Sequence, residues 1–365
     1  MKTSMNYSNR LNKLRQLLPE TKCDAFLINH PANLNYFTGY SGDSAYLLVT
    51  LEKSSFFTDG RYTTQAASEI PNNIDLIRII NFQDLCHNIK QNSRIKHLGV
   101  DENQLFAGNW LKLEREINPC ELKAVSASLC RPRLHKDADE IKLLRRAVTI
   151  AEEALNNSLF RLQSGMRESD LAAEIEYQIR LSGGERAAFP LIVASGPRSA
   201  LPHGVASDRR ISPGDIVTID FGACYKGYHS DQTCTFFLKE PEPEIQKAYN
   251  ILYQAQKTGF AAINPGINGQ ELDSIVREVV TAGGFGKEFS HGTGHGVGLE
   301  IHEAPSISPK SKDGKLEPGM VFTIEPGCYF PNRWGIRIED TYHLTANGPE
   351  KLTTIDKNLE NMIID

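Results

Sequence analysis

The chain has 365 residues, a formal net charge of −5, and an ordinary balance of 40% hydrophobic and 23% charged residues. Its length exceeds the size at which one hydrophobic core usually stops growing, so we expect two domains. The mildly acidic charge argues against nucleic acid or an anionic membrane as the main partner. We see neither a signal peptide nor an apolar run near the roughly 20 residues of a membrane-spanning helix. We therefore expect a cytoplasmic protein whose seven scattered cysteines stay reduced.

The first third of the chain alternates short apolar runs with helical segments, which is typical of an α/β domain. An amphipathic helix is predicted over residues 8–18. Strands are predicted at five apolar runs separated by turn residues. These runs are Ala25–Ile28, Tyr46–Thr50, Ser55–Thr58, Leu76–Ile80 and Leu98–Val100. We expect the strands to form a mixed sheet.

A boundary between the two domains is predicted where a basic, proline-containing segment, Arg131–Lys136, precedes a helix. Asp137 and Glu140 form a capping box, which predicts the start of that helix. We therefore assign residues 1–133 to an N-terminal α/β domain and residues 137–365 to a C-terminal domain. The whole chain is predicted to belong to the α/β (α+β) class.

The C-terminal domain contains an internal repeat. A pair of glycines separated by 18 residues begins at Gly165 and again at Gly266. Further on, Pro-Gly-Asp-Ile-Val-Thr-Ile-Asp220-Phe-Gly matches Pro-Gly-Met-Val-Phe-Thr-Ile-Glu325-Pro-Gly. These two matches are offset by 101 and 105 positions, so one helix–strand unit occurs twice. We expect two similar halves about a pseudo-twofold axis, each presenting equivalent strand residues to a shared centre.

Four carboxylates are predicted to meet at that centre. Asp220 and Glu325 are equivalent in the repeat, and the strand that returns after each of them carries Asp231 or Glu339. Alternation along the strands that end near Asp220 and Glu325 predicts that each strand is half buried. Acidic residues are rarely buried without a partner. Two carboxylates about 4 Å apart repel each other by about 4 kcal/mol at an effective dielectric constant near 20. Four carboxylates together therefore require cations.

A segment rich in histidine and glycine can supply a further ligand. The twelve residues His291–His302 contain three histidines and four glycines, which neither helix nor strand propensity explains. Glycine lets the backbone approach a bound group, and neutral histidine is a common metal ligand. We predict that His295 completes a site for two divalent ions with mostly oxygen ligands, which suits Mn²⁺, Mg²⁺, Fe²⁺ or Co²⁺. Such a pair of ions would activate a water molecule for amide hydrolysis.

Several of these residues also have simpler structural interpretations. A single strand aspartate such as Asp220 is more often a strand-end cap or an ion-pair partner than a ligand, and it is the repeat that favours a metal. His203 and His302 are about as well explained as loop residues that bond to the backbone. Arg337 has the alternative role of an ion-pair partner of Glu339.

Five motifs together resemble the dinuclear metallopeptidases of the pita-bread fold, a family that includes aminopeptidase P, prolidase, methionine aminopeptidase and creatinase. The motifs are Thr218-Ile-Asp-Phe-Gly, Tyr228-His-Ser-Asp-Gln-Thr-Cys-Thr, His291-Gly-Thr-Gly-His-Gly-Val-Gly-Leu-Glu-Ile-His-Glu, Thr323-Ile-Glu-Pro-Gly and Gly335-Ile-Arg-Ile-Glu-Asp. The resemblance implies a pita-bread catalytic domain over residues 137–365. The residues before it resemble the family's creatinase-like N-terminal domain.

The resemblance also implies the metal ligands. Asp220 would bind the first ion, His295 and Glu325 would bind the second, and Asp231 and Glu339 would bind both. The two ions are expected to be Mn²⁺, with Co²⁺, Fe²⁺ or Zn²⁺ as alternatives.

Catalytic and substrate-binding roles follow from the same resemblance. Glu325 would carry the proton of the attacking water, and His203 and His302 would act on the scissile carbonyl, the intermediate or the proline side of the substrate. His291 would bind substrate or support the glycine segment. Arg337 would receive substrate or steady a bridging carboxylate.

The leading functional prediction is an Xaa-Pro aminopeptidase, which releases the first residue from peptides with proline in the second position. It is favoured because Phe57–Tyr62 resembles the N-terminal domain of aminopeptidase P. The alternative is an Xaa-Pro dipeptidase (prolidase), and a creatinase-like hydrolase or a metal-free binding module is more distant. Proline specificity rests on the resemblance alone, as does the expectation of a homodimer.

Overall fold

The computed structural model describes residues 5–364. The chain divides into two compact units between Arg133 and Leu134, and each unit has a hydrophobic core of its own. Within the described residues, no helix combines the length and the apolar character needed to cross a membrane.

The N-terminal unit is built on one six-stranded sheet. Its helices are α1 (Tyr7–Thr21), α2 (Pro31–Thr38), α3 (Thr63–Glu69), α4 (Phe82–Gln91), α5 (Ala107–Ile117) and α6 (Ser126–Cys130), followed by a 3₁₀ turn at Arg131–Arg133. Its strands are β1 (Ala25–Ile28), β2 (Tyr46–Thr50), β3 (Ser54–Thr58), β4 (Asp75–Arg78), β5 (His97–Val100) and β6 (Glu121–Ala124). The strand order is β4-β3-β2-β1-β5-β6. The predicted mixed sheet is confirmed, because β1, β2 and β3 pair antiparallel and the outer pairs are parallel.

Two details of this sheet differ from the sequence prediction, both at its edges. The edge strand β4 ends at Arg78, so Ile79 and Ile80 lie outside it, and Ile80 is 84% exposed. The other edge strand, β6, has the sequence Glu-Leu-Lys-Ala and was not predicted. A charged, short edge strand is a common protection against pairing with other chains, and it carries little hydrophobic signal.

The C-terminal unit carries two helix pairs, each followed by strands. The helices are α7 (Ala138–Leu159), α8 (Glu168–Leu181), α9 (Pro243–Ala262) and α10 (Gly269–Ala282), with 3₁₀ turns at Gly196–Ala200 and Leu359–Met362. The strands between the helix pairs are β7 (Arg186–Ala187), β8 (Ile192–Ser195), β9 (Ile216–Phe221), β10 (Ala223–Tyr225), β11 (Tyr228–His229) and β12 (Gln232–Phe237). The later strands are β13 (Gly294–Gly296), β14 (Glu303–Ile307), β15 (Val321–Ile324), β16 (Gly327–Phe330), β17 (Trp334–Arg337), β18 (Asp340–Thr345) and β19 (Gly348–Lys351).

The predicted repeat is visible in the backbone. Strand β9 lies between β8 and β12, and strand β15 lies between β13 and β18. The first glycines of the repeat, Gly165 and Gly266, have φ of +90° and +102°, and their counterparts Gly183 and Gly284 have φ of +92° and +96°. Residues with a side chain rarely adopt these backbone angles. The repeated glycines therefore mark equivalent turns before and after the second helix of each pair.

Two predictions about the strands of this unit are wrong. The strands expected to be half buried are buried on both faces along nearly their whole length, because helices cover one face and strands of the other half cover the opposite one. The single strand that was expected to return after Glu325 and to carry Glu339 is two strands, β17 and β18, separated by Ile338 and Glu339. At this break, the Glu339 N–H donates to the Thr233 carbonyl of β12 over 3.2 Å.

A buried ion pair lies directly behind this break. Asp340 contacts the ammonium of Lys357, and both side chains are almost fully buried, at 2% and 1% exposure. Asp340 also accepts a 2.6 Å hydrogen bond from the Thr353 hydroxyl and lies 2.9 Å from Lys351, whose side chain is 34% exposed. The buried pair therefore fixes the C-terminal segment against β18.

We expect the Lys357→Met variant to lose about 3 kcal/mol in the free energy of unfolding, because it leaves a buried carboxylate without its closest cation. The matched variant Lys351→Met removes the solvated partner and should cost less than about 1 kcal/mol. Urea unfolding of the two variants measures the difference. Equal losses would show that burial does not control the strength of this pair.

Candidate metal centre

One cavity of the C-terminal unit gathers all nine residues that the sequence predicted. The cavity has a volume of about 460 Å³. The predicted residues on its wall are His203, Asp220, Asp231, His291, His295, His302, Glu325, Arg337 and Glu339. Residues that are up to 136 positions apart in the chain therefore share one site.

The four carboxylates reach the cavity from the ends of strands. Asp220 lies near the end of β9, Asp231 immediately before β12, and Glu325 immediately after β15. Glu339 lies in the break between β17 and β18. The side chains at these strand ends, from both halves of the unit, thus meet in one cavity.

The closest cluster within the cavity is formed by Asp231, His295 and Glu339. One ligand atom from each of them lies within 4.8 Å of the other two. The His295 Nε2 atom is 3.5 Å from Asp231 Oδ2 and 3.6 Å from Glu325 Oε1. An imidazole surrounded by carboxylate oxygens at these distances is an arrangement that a metal ion could bridge.

The glycines around His295 allow its strand to pack tightly. A Cβ atom on Gly294 would lie 2.0 Å from the Thr323 carbonyl oxygen, and one on Gly296 would lie 2.3 Å from the Ala304 carbonyl oxygen. Any side chain at these positions would clash with backbone. The composition of the segment follows from this close approach, which brings the His295 ring to the carboxylates.

Burial dominates the electrostatics of the carboxylates. It raises the pKa of Glu339 to about 8 and the pKa values of Asp231 and Glu325 well above their usual range, with the neighbouring carboxylates adding to the shift. Burial also lowers the pKa of His295 to about 4, with His302 contributing. The site thus destabilises negative charge on its acids and keeps its central imidazole neutral.

These residues fit a divalent metal. The Oδ1 atom of Asp220 is buried and has no hydrogen-bond partner within residues 5–364. A buried carboxylate oxygen without a donor is costly, and a cation would satisfy it. The ligand set consists of carboxylate oxygens and one neutral imidazole, with no thiolate among the predicted ligands. Such a set suits divalent ions of the Mn²⁺, Fe²⁺ or Co²⁺ type.

Arg337 pairs with Asp220 and not with Glu339, so the simpler interpretation of this arginine was wrong. Its Nη2 atom lies 2.6 Å from Asp220 Oδ2. Nη1 donates to Tyr329 Oη and to the Pro202 carbonyl, both over 3.0 Å. The guanidinium is therefore almost fully engaged within the protein, although its side chain lines the cavity. A direct role in binding substrate stays a prediction.

Tyr329 was not predicted from the sequence as a residue of the site. Its hydroxyl lies 3.0 Å from His291 Nε2 and accepts from Arg337, so it connects the histidine segment to the arginine. His291 is thus held by Tyr329, while its Nδ1 lies 4.0 Å from Glu325. The only signal in the sequence was a tyrosine within a buried strand, where its hydroxyl needs a partner.

His203 and His302 lie at the more open side of the cavity, where both are exposed. The ring of His302 packs edge-on against His295, with 4.2 Å between the ring centroids. Burial lowers the pKa of His302, opposed by the charge of Asp220. A neutral ring of this kind can donate one hydrogen bond and accept another.

Much of the remaining wall is apolar and was also missed. It consists of Phe189, Pro190, Ile192, Pro202, Val205 and Ile301. These residues lie in loops or at strand ends and carry no reactive group, so no pattern in the sequence marks them. They give the cavity an apolar side beside its polar floor.

A cavity with buried acids, a central imidazole and an apolar wall is an arrangement that suits a metal-dependent hydrolase. Residues 142–346 match the metallopeptidase family M24, and residues 10–135 match the creatinase/prolidase N-terminal domain. The chain belongs to metallopeptidase family M24. The predicted fold, with a creatinase-like domain before a pita-bread domain, is confirmed, and the metal-free binding module is set aside.

Similar proteins include peptidases with two kinds of name. The chain is 37% identical to an Xaa-Pro dipeptidase of Pyrococcus horikoshii over 353 residues. This match covers 96% of this chain and 99% of that protein. The structure of this chain is similar to that of an Xaa-Pro dipeptidase from Bacillus anthracis, with a TM-score of 0.94 and 36% identity. The similarity covers 98% of this chain and 100% of that one. The chain is also similar to an X-Pro aminopeptidase from Thermotoga maritima, with a TM-score of 0.89, 34% identity, and coverage of 97% and 99%.

We expect metal binding to release protons. The pKa of about 8 means that the metal-free protein holds a proton on Glu339 at pH 7, and cation ligands must be deprotonated. Titration calorimetry of chelator-treated protein with Mn²⁺, in buffers of different ionisation enthalpy, should show about one proton or more released per chain. The affinity should rise from pH 6 to pH 8, and an affinity that falls over this range would contradict the assignment of the site.

Proposed function

We propose that this enzyme hydrolyses the bond between an N-terminal residue and a proline with the help of two divalent metal ions. The observation that carries the proposal is the convergence of four carboxylates and one imidazole in a single cavity. The assigned ligands are Asp220 for the first ion, His295 and Glu325 for the second, and Asp231 and Glu339 for both. Mn²⁺ is the proposed ion, and Co²⁺, Fe²⁺ and Zn²⁺ are the alternatives.

Two divalent ions in this cavity would acidify water and polarise the scissile carbonyl. The protein's own groups then have to move one proton and hold the substrate. Glu325 is assigned the proton transfer, because its carboxylate reaches the cavity beside His295. The nitrogen of proline has no N–H in the peptide and must receive a proton as it leaves, and Glu325 is the assigned donor.

His203 and His302 are assigned to the carbonyl and to the intermediate that forms from it. Both are imidazoles at the open side of the same cavity, and the partial burial of the His302 ring lowers its pKa, which favours the neutral form. A neutral imidazole can donate a hydrogen bond to an oxygen that gains negative charge. This is the chemistry that hydrolysis of an amide requires.

The apolar wall supports a proline-type substrate. Phe189, Pro190, Ile192 and Val205 present hydrocarbon surface to the cavity. A pyrrolidine ring is apolar and gains from burial against such surface. The names of similar proteins, Xaa-Pro dipeptidase and X-Pro aminopeptidase, also favour a substrate with proline.

The length of the substrate has two candidate answers. The motif Phe57–Tyr62 favoured an aminopeptidase. In the structure, side chains of its turn Asp59–Tyr62 form contacts within the N-terminal unit. Arg61 pairs with Asp59 at 2.8 Å, and the Tyr62 hydroxyl donates to Asp43 over 2.6 Å. We propose release of the first residue from peptides longer than two residues, and cleavage of Xaa-Pro dipeptides is the second candidate, favoured by the names of the relatives.

A cytoplasmic homodimer stays a prediction, which light scattering and cell fractionation would test.

The two candidates are separated by their products. We expect the Mn²⁺-loaded enzyme to release the first residue from an Xaa-Pro-Yaa tripeptide, with no activity after chelation. Chromatography of the products measures this directly, with an Xaa-Pro dipeptide tested in parallel. Cleavage of the dipeptide alone would make the enzyme a dipeptidase, and no metal-dependent cleavage of either would refute Xaa-Pro specificity.

We expect Asp231→Asn to abolish turnover and to reduce the bound metal. The amide is neutral and nearly the same size as the buried carboxylate, which is 4% exposed, so the change removes charge rather than volume. Metal analysis and peptide hydrolysis measure the two effects. The control Asp356→Asn changes an exposed aspartate and should keep both metal and activity, whereas an active, metal-loaded Asp231→Asn enzyme would exclude Asp231 as a ligand.

A further inference from the structure

Glu168 is a fully buried carboxylate that has no part in the proposed chemistry. It is the first residue of α8, and its side chain is 0% exposed. Its oxygens accept from the backbone N–H and the hydroxyl of Ser195, both over 2.7 Å. They also accept from the N–H and hydroxyl of Ser207, over 3.1 and 2.6 Å, and from Arg198. Five donors thus satisfy one buried charge.

Four of these donors lie at the two ends of a single loop, and the fifth, Arg198, lies within it. Ser195 ends β8, and Ser207 follows the loop 196–206, so one side chain on a helix closes the loop at its base. Within the loop, Arg198 donates from its second terminal nitrogen to the Val205 carbonyl over 2.9 Å. Because each donor lost from a buried charge costs stability, these bonds hold the two ends of the loop together.

The same loop carries part of the cavity wall. Pro202, His203 and Val205 all line the cavity, and the Pro202 carbonyl accepts from Arg337. The imidazole of His203 is exposed, so its position depends on the backbone that carries it. The carboxylate of Glu168 therefore acts on the cavity through the loop.

The second half of the unit uses a similar device. Asp273 on α10 is buried and accepts from the N–H and the hydroxyl of Thr293, over 3.1 and 2.8 Å. It also pairs with Arg277, which donates to the His291 carbonyl over 2.7 Å. A buried carboxylate, a Ser or Thr bound through both N–H and hydroxyl, and an arginine thus secure the second histidine-bearing segment.

The two carboxylates do not occupy equivalent positions of the repeat. With the offset of 101 positions between the helix pairs, Glu168 corresponds to Gly269 and not to Asp273. Inheritance of one ancestral contact therefore does not explain both. The shared feature is the result, a fixed loop beside the cavity.

We propose that Glu168 is a positioning residue that fixes the loop of His203 in the geometry that the reaction needs. The proposal rests on the proposed function, because His203 acts there on the scissile carbonyl. A displacement of about 1 Å in a group of this kind can lower the rate by about 10²-fold. If Glu168 acted in folding alone, its substitution would lower the stability of the protein. The effect of that substitution on the rate would then be the same with and without His203.

The test is a double-mutant cycle with Glu168→Gln and His203→Ala. The glutamine keeps the size of the side chain but places an NH₂ group against the donors of Ser195, Ser207 or Arg198. We expect Glu168→Gln alone to reduce kcat/KM for the Xaa-Pro substrate by about 10²-fold, mainly through kcat. In the His203→Ala background the same change should cost less than about 3-fold, because no imidazole remains to be misplaced.

Glu152→Gln is the matched control. Glu152 is another buried carboxylate on a helix of this unit, and it accepts from the backbone of Thr354 and Ile355. Its substitution should have the same effect with and without His203. An equal loss from Glu168→Gln in both backgrounds, or no loss at all, would overturn the proposal. If Glu168→Gln does not fold, Ser207→Ala replaces it in the cycle and removes a single hydroxyl donor.

A second measurement does not require turnover. Amide hydrogen exchange in residues 196–207 should become at least about 10-fold faster in Glu168→Gln, while residues 291–295 exchange as in the unchanged protein. If the unchanged enzyme cleaves no Xaa-Pro peptide, the proposed function fails on its own, and exchange still decides whether Glu168 fixes the loop. Unchanged exchange in 196–207 would overturn the positioning role even in an active enzyme.

Discussion

The mutual repulsion of four buried carboxylates is the constraint on which the rest of the C-terminal unit depends. Each pair of charges about 4 Å apart costs about 4 kcal/mol even at an effective dielectric constant near 20. The protein relieves this repulsion in part through Arg337, which pairs with Asp220, and in part by favouring protonation, because burial and then the charge of Asp220 raise the pKa of Glu339 to about 8. Neither device satisfies the buried Oδ1 of Asp220. A cluster that stays this costly without a cation is organised for binding one.

Holding such a cluster together requires a rigid frame around it, and the fold provides one on every side. The strands that carry the carboxylates are buried on both faces, so they have little freedom to move apart. The Asp340–Lys357 pair braces β18 directly behind Glu339. Glu168 and Asp273 secure the loops at the open side through Ser and Thr residues. Buried charge at the centre is thus surrounded by buried charge that is fully paired.

The sequence predicted the centre better than its surroundings, and the reason is physical. Asp220 and Glu325 were found because a repeat is a property of the chain itself, visible as spacing. The break at Ile338 and Glu339 depends on a hydrogen bond to Thr233, and the partner of Arg337 lies 117 positions away. Glu168 looks in the sequence like an acidic residue that favours a helix N-terminus. Its five donors come from a loop that begins 27 positions later, so only the folded chain shows its role.

The division between the polar floor of the cavity and the loops at its open side also bears on substrate length. An Xaa-Pro dipeptidase and an X-Pro aminopeptidase have structures that match this chain with TM-scores of 0.94 and 0.89 and with 36% and 34% identity. The overall fold therefore does not decide how long a peptide an enzyme of this kind accepts. A dipeptide and a longer peptide present the same Xaa-Pro bond and differ only beyond the proline. The groups that tell them apart must contact that far end, and they are expected in the loops around the open side of the cavity. The role that we propose for Glu168 concerns the loop of His203, which faces the scissile bond, and it would therefore bear on catalysis rather than on peptide length.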